Sequence, residues 1–130
     1  TYNEAFKDNI KPATKSMDHM LDDAIAKGQD VIWDQTNVSV GKRKKIIDRM
    51  KKTGYSMYCS CIVPPNPASF TELEDWKSRL ANRPGKTIPQ HILQNMTNSY
   101  VKPTIQEGFD MVSCFDMYGA LLSIDIGEKQ

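Results

Sequence analysis

Apolar residues recur at intervals of three and four between about Asn3 and Lys27, at Phe6, Ile10, Ala13, Met17, Met20, Leu21, Ala24 and Ile25. That period predicts an amphipathic helix. Asn3 suits its N-cap and Gly28 its stop, and Pro12 predicts a kink or break near Ile10–Lys11. Then the pattern changes. Val31, Ile32 and Trp33 make a short continuous apolar run, which suits a strand buried on both faces of a parallel sheet. From Ser39 to Thr53 helical spacing returns, with Ile46, Ile47 and Met50 inward, and Gly54 closes it. Tyr55 to Val63 alternates as a strand, with Tyr55, Met57, Cys59, Cys61 and Val63 on one face. Pro64-Pro65-Asn66-Pro67 ends it. Ala68 to Ala81 is a third helix, with Phe70, Leu73, Trp76 and Leu80 inward. Pro89 to Tyr100 is a fourth, with Ile92, Leu93 and Met96 inward. Met111 to Phe115 is a last strand, and the tail from Met117 to Gln130 adds an edge strand or covers the core. Helices alternating with strands predict an α/β fold, a parallel sheet flanked by helices.

The first strand ends on Asp34, Gln35, Thr36 and Asn37. In open α/β sheets ligands bind beyond the carboxyl ends of the strands. An Asp there can hold a metal ion through a water or accept a proton from a hydroxyl. Thr36 and Asn37 can bond a substrate, and they suit a turn and a helix cap equally well. The pattern leaves both readings open. The second helix has a basic face of Lys42, Arg43, Lys44, Lys45, Arg49, Lys51 and Lys52, and such a run is usually a solvated surface. Arg43 stands apart because it lies in the first turns, within reach of a phosphate at the polar rim. A second set of cations, Lys77, Arg79, Arg83 and Lys86, surrounds the Arg83-Pro84-Gly85 turn. It reads either as a solvated basic turn or as a mobile helix–loop whose guanidinium forks close over polyphosphate.

The totals narrow the class. A chain of 130 residues with 39% hydrophobic and 25% charged residues suits one domain with one core. A net charge of +1 gives no global field toward nucleic acid, which leaves only a local basic patch. No apolar run approaches the roughly 18 residues that cross a bilayer, and the polar start shows no signal peptide, so no membrane partner is expected. Cys59, Cys61 and Cys114 have no framework spacing. They read as reduced core thiols in a cytoplasmic setting rather than as metal ligands. His19 reads as a solvent-facing helix residue.

Asp30-Val31-Ile32-Trp33-Asp34-Gln35-Thr36-Asn37, followed by a basic helix bearing Arg43, resembles the second signature of the polynucleotide-kinase-like P-loop kinases, phage members included. That signature is an apolar strand ending in Asp-x-Thr-Asn with an arginine several residues on. Tyr2-Asn3-Glu4-Ala5-Phe6 looks like the start of the preceding helix in phage members. Arg79 and Arg83 fall where the family's arginine-bearing lid lies, at about 76–88. Ile88-Pro89 through Pro103 to Glu107-Gly108-Phe109-Asp110 is similar to the post-lid helix and last strand, so the resemblance spans about Thr1 to Phe115.

The resemblance implies ATP- and Mg2+-dependent phosphoryl transfer to a hydroxyl of a nucleic acid or nucleoside. The setting would be the cytoplasm, the host's for a phage-encoded chain. Arg79 and Arg83 would serve as catalytic and nucleotide-binding residues. Asp34, Gln35, Thr36, Asn37 and Arg43 would organise the acceptor. One departure is clear: Gly-x-x-x-x-Gly-Lys-[Ser/Thr], the loop that cradles phosphates, occurs nowhere in the sequence. The Walker A strand and loop are therefore expected from a missing N-terminal segment or a second chain. Two other readings stay open, a kinase-like remnant that only binds protein or nucleic acid, and a plain structural module.

Overall fold

The computed structural model describes residues 2–128. The chain forms two compact units, Thr1–Thr36 and Asn37–Gln130. No helix among the described residues is long and apolar enough to cross a membrane.

In the first unit, α1 spans Tyr2–Ala26. It runs unbroken through Pro12, so the expected break is absent. The carbonyl that proline leaves without its helical donor belongs to Asp8, an exposed residue that water can reach. The side chain of Asn3, the expected N-cap, lies outside the described residues. The helix stops at Gly28, whose φ of 64° only glycine adopts freely. Gly28 N–H bonds the Ile25 carbonyl at 3.1 Å and Gln29 N–H that of Ala24 at 2.9 Å, a Schellman ending. Leu21 is buried, whereas Phe6, Ile10 and Met20 of the same stripe are exposed.

The expected strand at Val31–Trp33 does not form. Residues 29–36 carry no strand, and Ile32 is 95% exposed between the half-buried Val31 and Trp33. A strand exists only where a neighbour takes its backbone hydrogen bonds. Among the described residues none pairs with this run. It is tied down by side chains instead. Trp33 Nε1 donates to Gln35 Oε1 at 3.2 Å, and Gln35 Nε2 reaches Met17 Sδ on α1 at 3.6 Å.

The second unit contains α2 (Val40–Met50), β1 (Tyr58–Ile62), α3 (Phe70–Ala81), α4 (Gln90–Ser99), a 3-10 turn (Ile105–Glu107), β2 (Met111–Phe115) and β3 (Leu121–Ile126). The three-stranded sheet has the order β1-β2-β3. β1 pairs parallel to β2, but β2 pairs antiparallel to β3, so the sheet is mixed and not the parallel sheet expected. The reason is the connection. β1 reaches β2 by a crossover through α3 and α4, whereas only residues 116–120 join β2 to β3. So short a link permits only a hairpin. Asp116 builds it, with its Oδ1 accepting from the N–H groups of Tyr118 and Ala120, both at 2.9 Å.

Register partners share a face of the sheet. Cys59 and Cys61 stand beside Val112 and Cys114, and this face is the core, with Val112 and Cys114 almost fully enclosed. The other face leaves Tyr58, Ile62 and Ile126 exposed. Burial also corrects two expected helix faces. Phe70, expected inward, is 77% exposed because it is the first residue after the N-cap Ser69, and Ile92 is exposed while Leu93 and Met96 are half-buried.

One ion pair ties these pieces together. Arg43 is only 3% exposed. Its Nε donates to Glu107 Oε1 at 2.8 Å and its Nη2 to Oε2 at 3.1 Å, a forked pair between α2 and the 3-10 turn. Glu107 Oε2 also accepts from Thr104 N–H at 2.9 Å, completing a capping box. Gly108 follows with φ 120° and lies against Ile47 of α2, where an added Cβ would stand 3.1 Å from Ile47 Cγ2.

Three outcomes are expected. Glu107→Ala leaves Arg43 charged and buried without its partner, so urea unfolding should show a loss of about 3–5 kcal/mol, whereas Arg43→Met with Glu107→Leu should lose less than Glu107→Ala alone. Gly108→Ala combines left-handed strain with a close contact and should cost about 1–3 kcal/mol in the same titration. Burial, then the neighbouring Cys61, pushes the Cys59 thiol up to about 11 from 9.0. The folded state therefore favours the protonated thiol. Its stabilisation is full below about 9 and lost as pH rises through about 11, visible as a falling unfolding midpoint in wild type that Cys59→Ser makes less steep.

Candidate functional site

The polar run that closes the apolar stretch divides between the two units. Asp34, Gln35 and Thr36 belong to the first, where Asp34 and Thr36 are exposed and Gln35 is committed to Trp33 and Met17. Asn37 opens the second. The turn-and-cap reading of these residues can be checked directly. The N-cap of α2 is Ser39, whose Oγ accepts from Lys42 N–H at 3.4 Å. Capping is therefore done without Thr36 or Asn37.

Asn37 has φ 42°, and it is the one non-glycine residue with positive φ among those described. Asparagine tolerates this region better than most side chains, at a cost that its surroundings must cover. Here the cover is visible. Arg43 Nη1 donates to the Asn37 carbonyl at 2.9 Å. One residue further, the Val38 carbonyl accepts from Val101 N–H, also at 2.9 Å. The backbone leaving the polar run is thus held from two sides by groups of the second unit.

This geometry changes the part of Arg43. It was expected to meet a phosphate directly. Its fork is instead filled by Glu107, its third nitrogen by Asn37, and its side chain is enclosed. Arg43 fixes the backbone at Asn37, the first residue of the second unit. The lysines of the basic face of α2, Lys42, Lys44, Lys45, Lys51 and Lys52, are exposed as a solvated surface. Lys44 pairs with Asp48, and Lys51 lies 3.6 Å from the same carboxylate, so Lys44 first, then Lys51, holds Asp48 below its ordinary range.

The second set of arginines lies at the end of α3. Arg79 is in the last turn of α3, and Arg83 follows the C-cap Asn82. Both are exposed. Arg79 Nη1 donates to the Met117 carbonyl at 2.7 Å, and its guanidinium carbon lies 5.2 Å from the centre of the Tyr118 ring. Lys77 pairs with Glu74 at 3.2 Å. Arg43 and Arg79 therefore serve two separate nodes.

The thiols show no reactive environment. Cys61 Sγ lies 3.5 Å from Tyr100 OH, and burial raises both groups. Among the described residues no group of His, Cys, Asp or Glu is arranged to hold a metal ion. An open cleft of about 510 Å³ lined by Tyr55, Ser56, Ile105, Phe109 and Asp110 contains none of the expected site residues.

Glu107 and Tyr118 were not singled out from the sequence. Glu107 had a legible signal, since Thr104-Ile105-Gln106-Glu107 has the spacing of a capping box. Tyr118 had none, because its role depends on a hairpin that brings it to α3.

Comparison with curated proteins and with solved structures gives no match. A family profile described as an AAA domain does match, over residues 2–103. The matched part contains the polar run, Arg43, Arg79 and Arg83, and it ends before Glu107 and the β2–β3 hairpin. It covers well over half of the sequence, and the chain therefore belongs to the AAA domain family, a group of P-loop NTPase-like kinases.

Proposed function

We propose that this chain carries the acceptor side and the lid of an ATP-dependent kinase that phosphorylates a hydroxyl of a nucleic acid or nucleoside. The observation that carries the reading is the backbone at Asn37, held in a left-handed conformation by a buried arginine at the end of the polar run. Strained, externally braced residues cluster where a ligand must be positioned. Membership of a family of P-loop NTPase-like kinases supports the same class of chemistry.

Phosphoryl transfer needs positioning and charge neutralisation more than covalent chemistry. Asp34 would accept a hydrogen bond from the attacking hydroxyl. Thr36 and Asn37 would orient the acceptor, and Arg43, braced by Glu107, would keep Asn37 in place. Arg79 and Arg83 would bind phosphate oxygens of the nucleotide as charge moves in the transition state. The metal that accompanies ATP would be carried on the phosphates, as Mg2+ commonly is.

The phosphate-cradling loop is absent from these 130 residues. We assign it to a further segment or a second chain that adds a strand to the sheet. The outer edge of β1 supports this, since its backbone pairs with no strand among the described residues. The absent loop equally favours a second reading, a kinase-like module that binds without chemistry.

Transfer of labelled γ-phosphate from ATP to 5′-hydroxyl RNA, 5′-hydroxyl DNA and nucleosides separates the two. The natural full-length protein should label at least one acceptor. Arg79→Ala and Arg83→Ala should each lower the rate by about 100-fold, and Asn37→Gly should raise the acceptor KM with the fold intact. No labelling of any acceptor, together with no ATP binding, leaves the binding module.

A further inference from the structure

Arg79 does not hang free on α3. Its Nη1 is spent on the Met117 carbonyl and its guanidinium carbon lies over the Tyr118 ring, 5.2 Å from the centre. The Tyr118 hydroxyl in turn donates to Asp75 Oδ2 at 2.5 Å. Asp75 and Arg79 are four positions apart on α3, so they project from one face of the helix. The phenol thus reaches back to the helix that carries the arginine and closes a ring of contacts. The hairpin that presents Tyr118 is itself built in advance by the two Asp116 bonds. The bond to Asp75 keeps the Tyr118 proton on above its ordinary range, which preserves the donor.

We propose that Tyr118 and Asp75 are positioning residues for Arg79, holding its guanidinium against the β2–β3 turn with its remaining N–H donors turned toward incoming phosphate. This rests on the reading of Arg79 as a phosphate-binding residue. An exposed arginine otherwise samples many rotamers, and each frozen bond raises the fraction of time its fork is aimed usefully. The cation–π contact with tyrosine uses none of the N–H donors, so those not bonded to Met117 stay available. Tyr118 lies outside residues 2–103, the part of the chain that the family profile matches. The clamp is therefore not carried by the matched part alone; it joins α3 to a hairpin beyond it.

The test is a double-mutant cycle in the natural full-length protein, using γ-phosphate transfer from ATP to the best acceptor. Tyr118→Ala should lower kcat about fivefold with the acceptor KM unchanged. Tyr118→Phe, which keeps the ring but loses the bond to Asp75, should recover only about half of that loss, and Asp75→Ala should match Tyr118→Phe. In an Arg79→Ala background, Tyr118→Ala should cost nothing more. NMR supplies a readout independent of turnover. The Arg79 side-chain protons should be shifted upfield by the ring in wild type and Tyr118→Phe, and should return to ordinary values in Tyr118→Ala. Losses that add in the Arg79→Ala background, or a Tyr118→Ala protein with wild-type kcat, overturn the proposal while leaving the kinase reading intact. A wild type that transfers no phosphate overturns the kinase reading, and the proposal with it, even if the ring shift is seen.

Discussion

The second unit is organised by one buried ion pair. Taking a guanidinium and a carboxylate out of water is costly, and only a full set of hydrogen bonds offsets it. Arg43 and Glu107 meet that condition by sharing a two-pronged contact and spending what remains on backbone, the carbonyl of Asn37 on one side and the N–H of Thr104 on the other. A hydrophobic contact at this place would bury as much surface. It would not specify which carbonyl lies where. The pair fixes the entry to α2, the backbone at Asn37 and the approach to β2 in one arrangement. Gly108 completes it, because only a residue without a side chain brings the turn this close to Ile47.

Helix positions were legible because each signal was local. The periods of α1 through α4, the glycine at 28, and the prolines around β1 all report on a few neighbouring residues. Strands were legible only where a partner exists. Cys59 and Cys61 alternate in the sequence and lie in a ladder, whereas Val31–Trp33 has equal β character and no ladder. The antiparallel hairpin was hidden for another reason. Nothing in Leu121–Ile126 states its direction, which the short Asp116–Ala120 turn decides.

The candidate site was legible as residue types and not as roles. Arginine at 43 was visible as different from the lysines around it, but its burial depended on a glutamate 64 positions away. The polar run was visible as either a cap or a site. Ser39 resolves the cap, and the φ of Asn37 marks strain that no composition or period encodes. Arg79 and Arg83 were visible as cations near a turn, and the surroundings of Arg79 are set by chain far downstream.

The open edge of β1 has a consequence for the protein in bulk solution. Unpaired strand edges beside exposed apolar side chains attract one another, and what keeps copies apart is mutual charge repulsion. This sequence has an isoelectric point near 7.6, so around neutral pH that repulsion is almost nil. Pairing along that edge is therefore least opposed by charge near neutral pH and more opposed where the net charge is large.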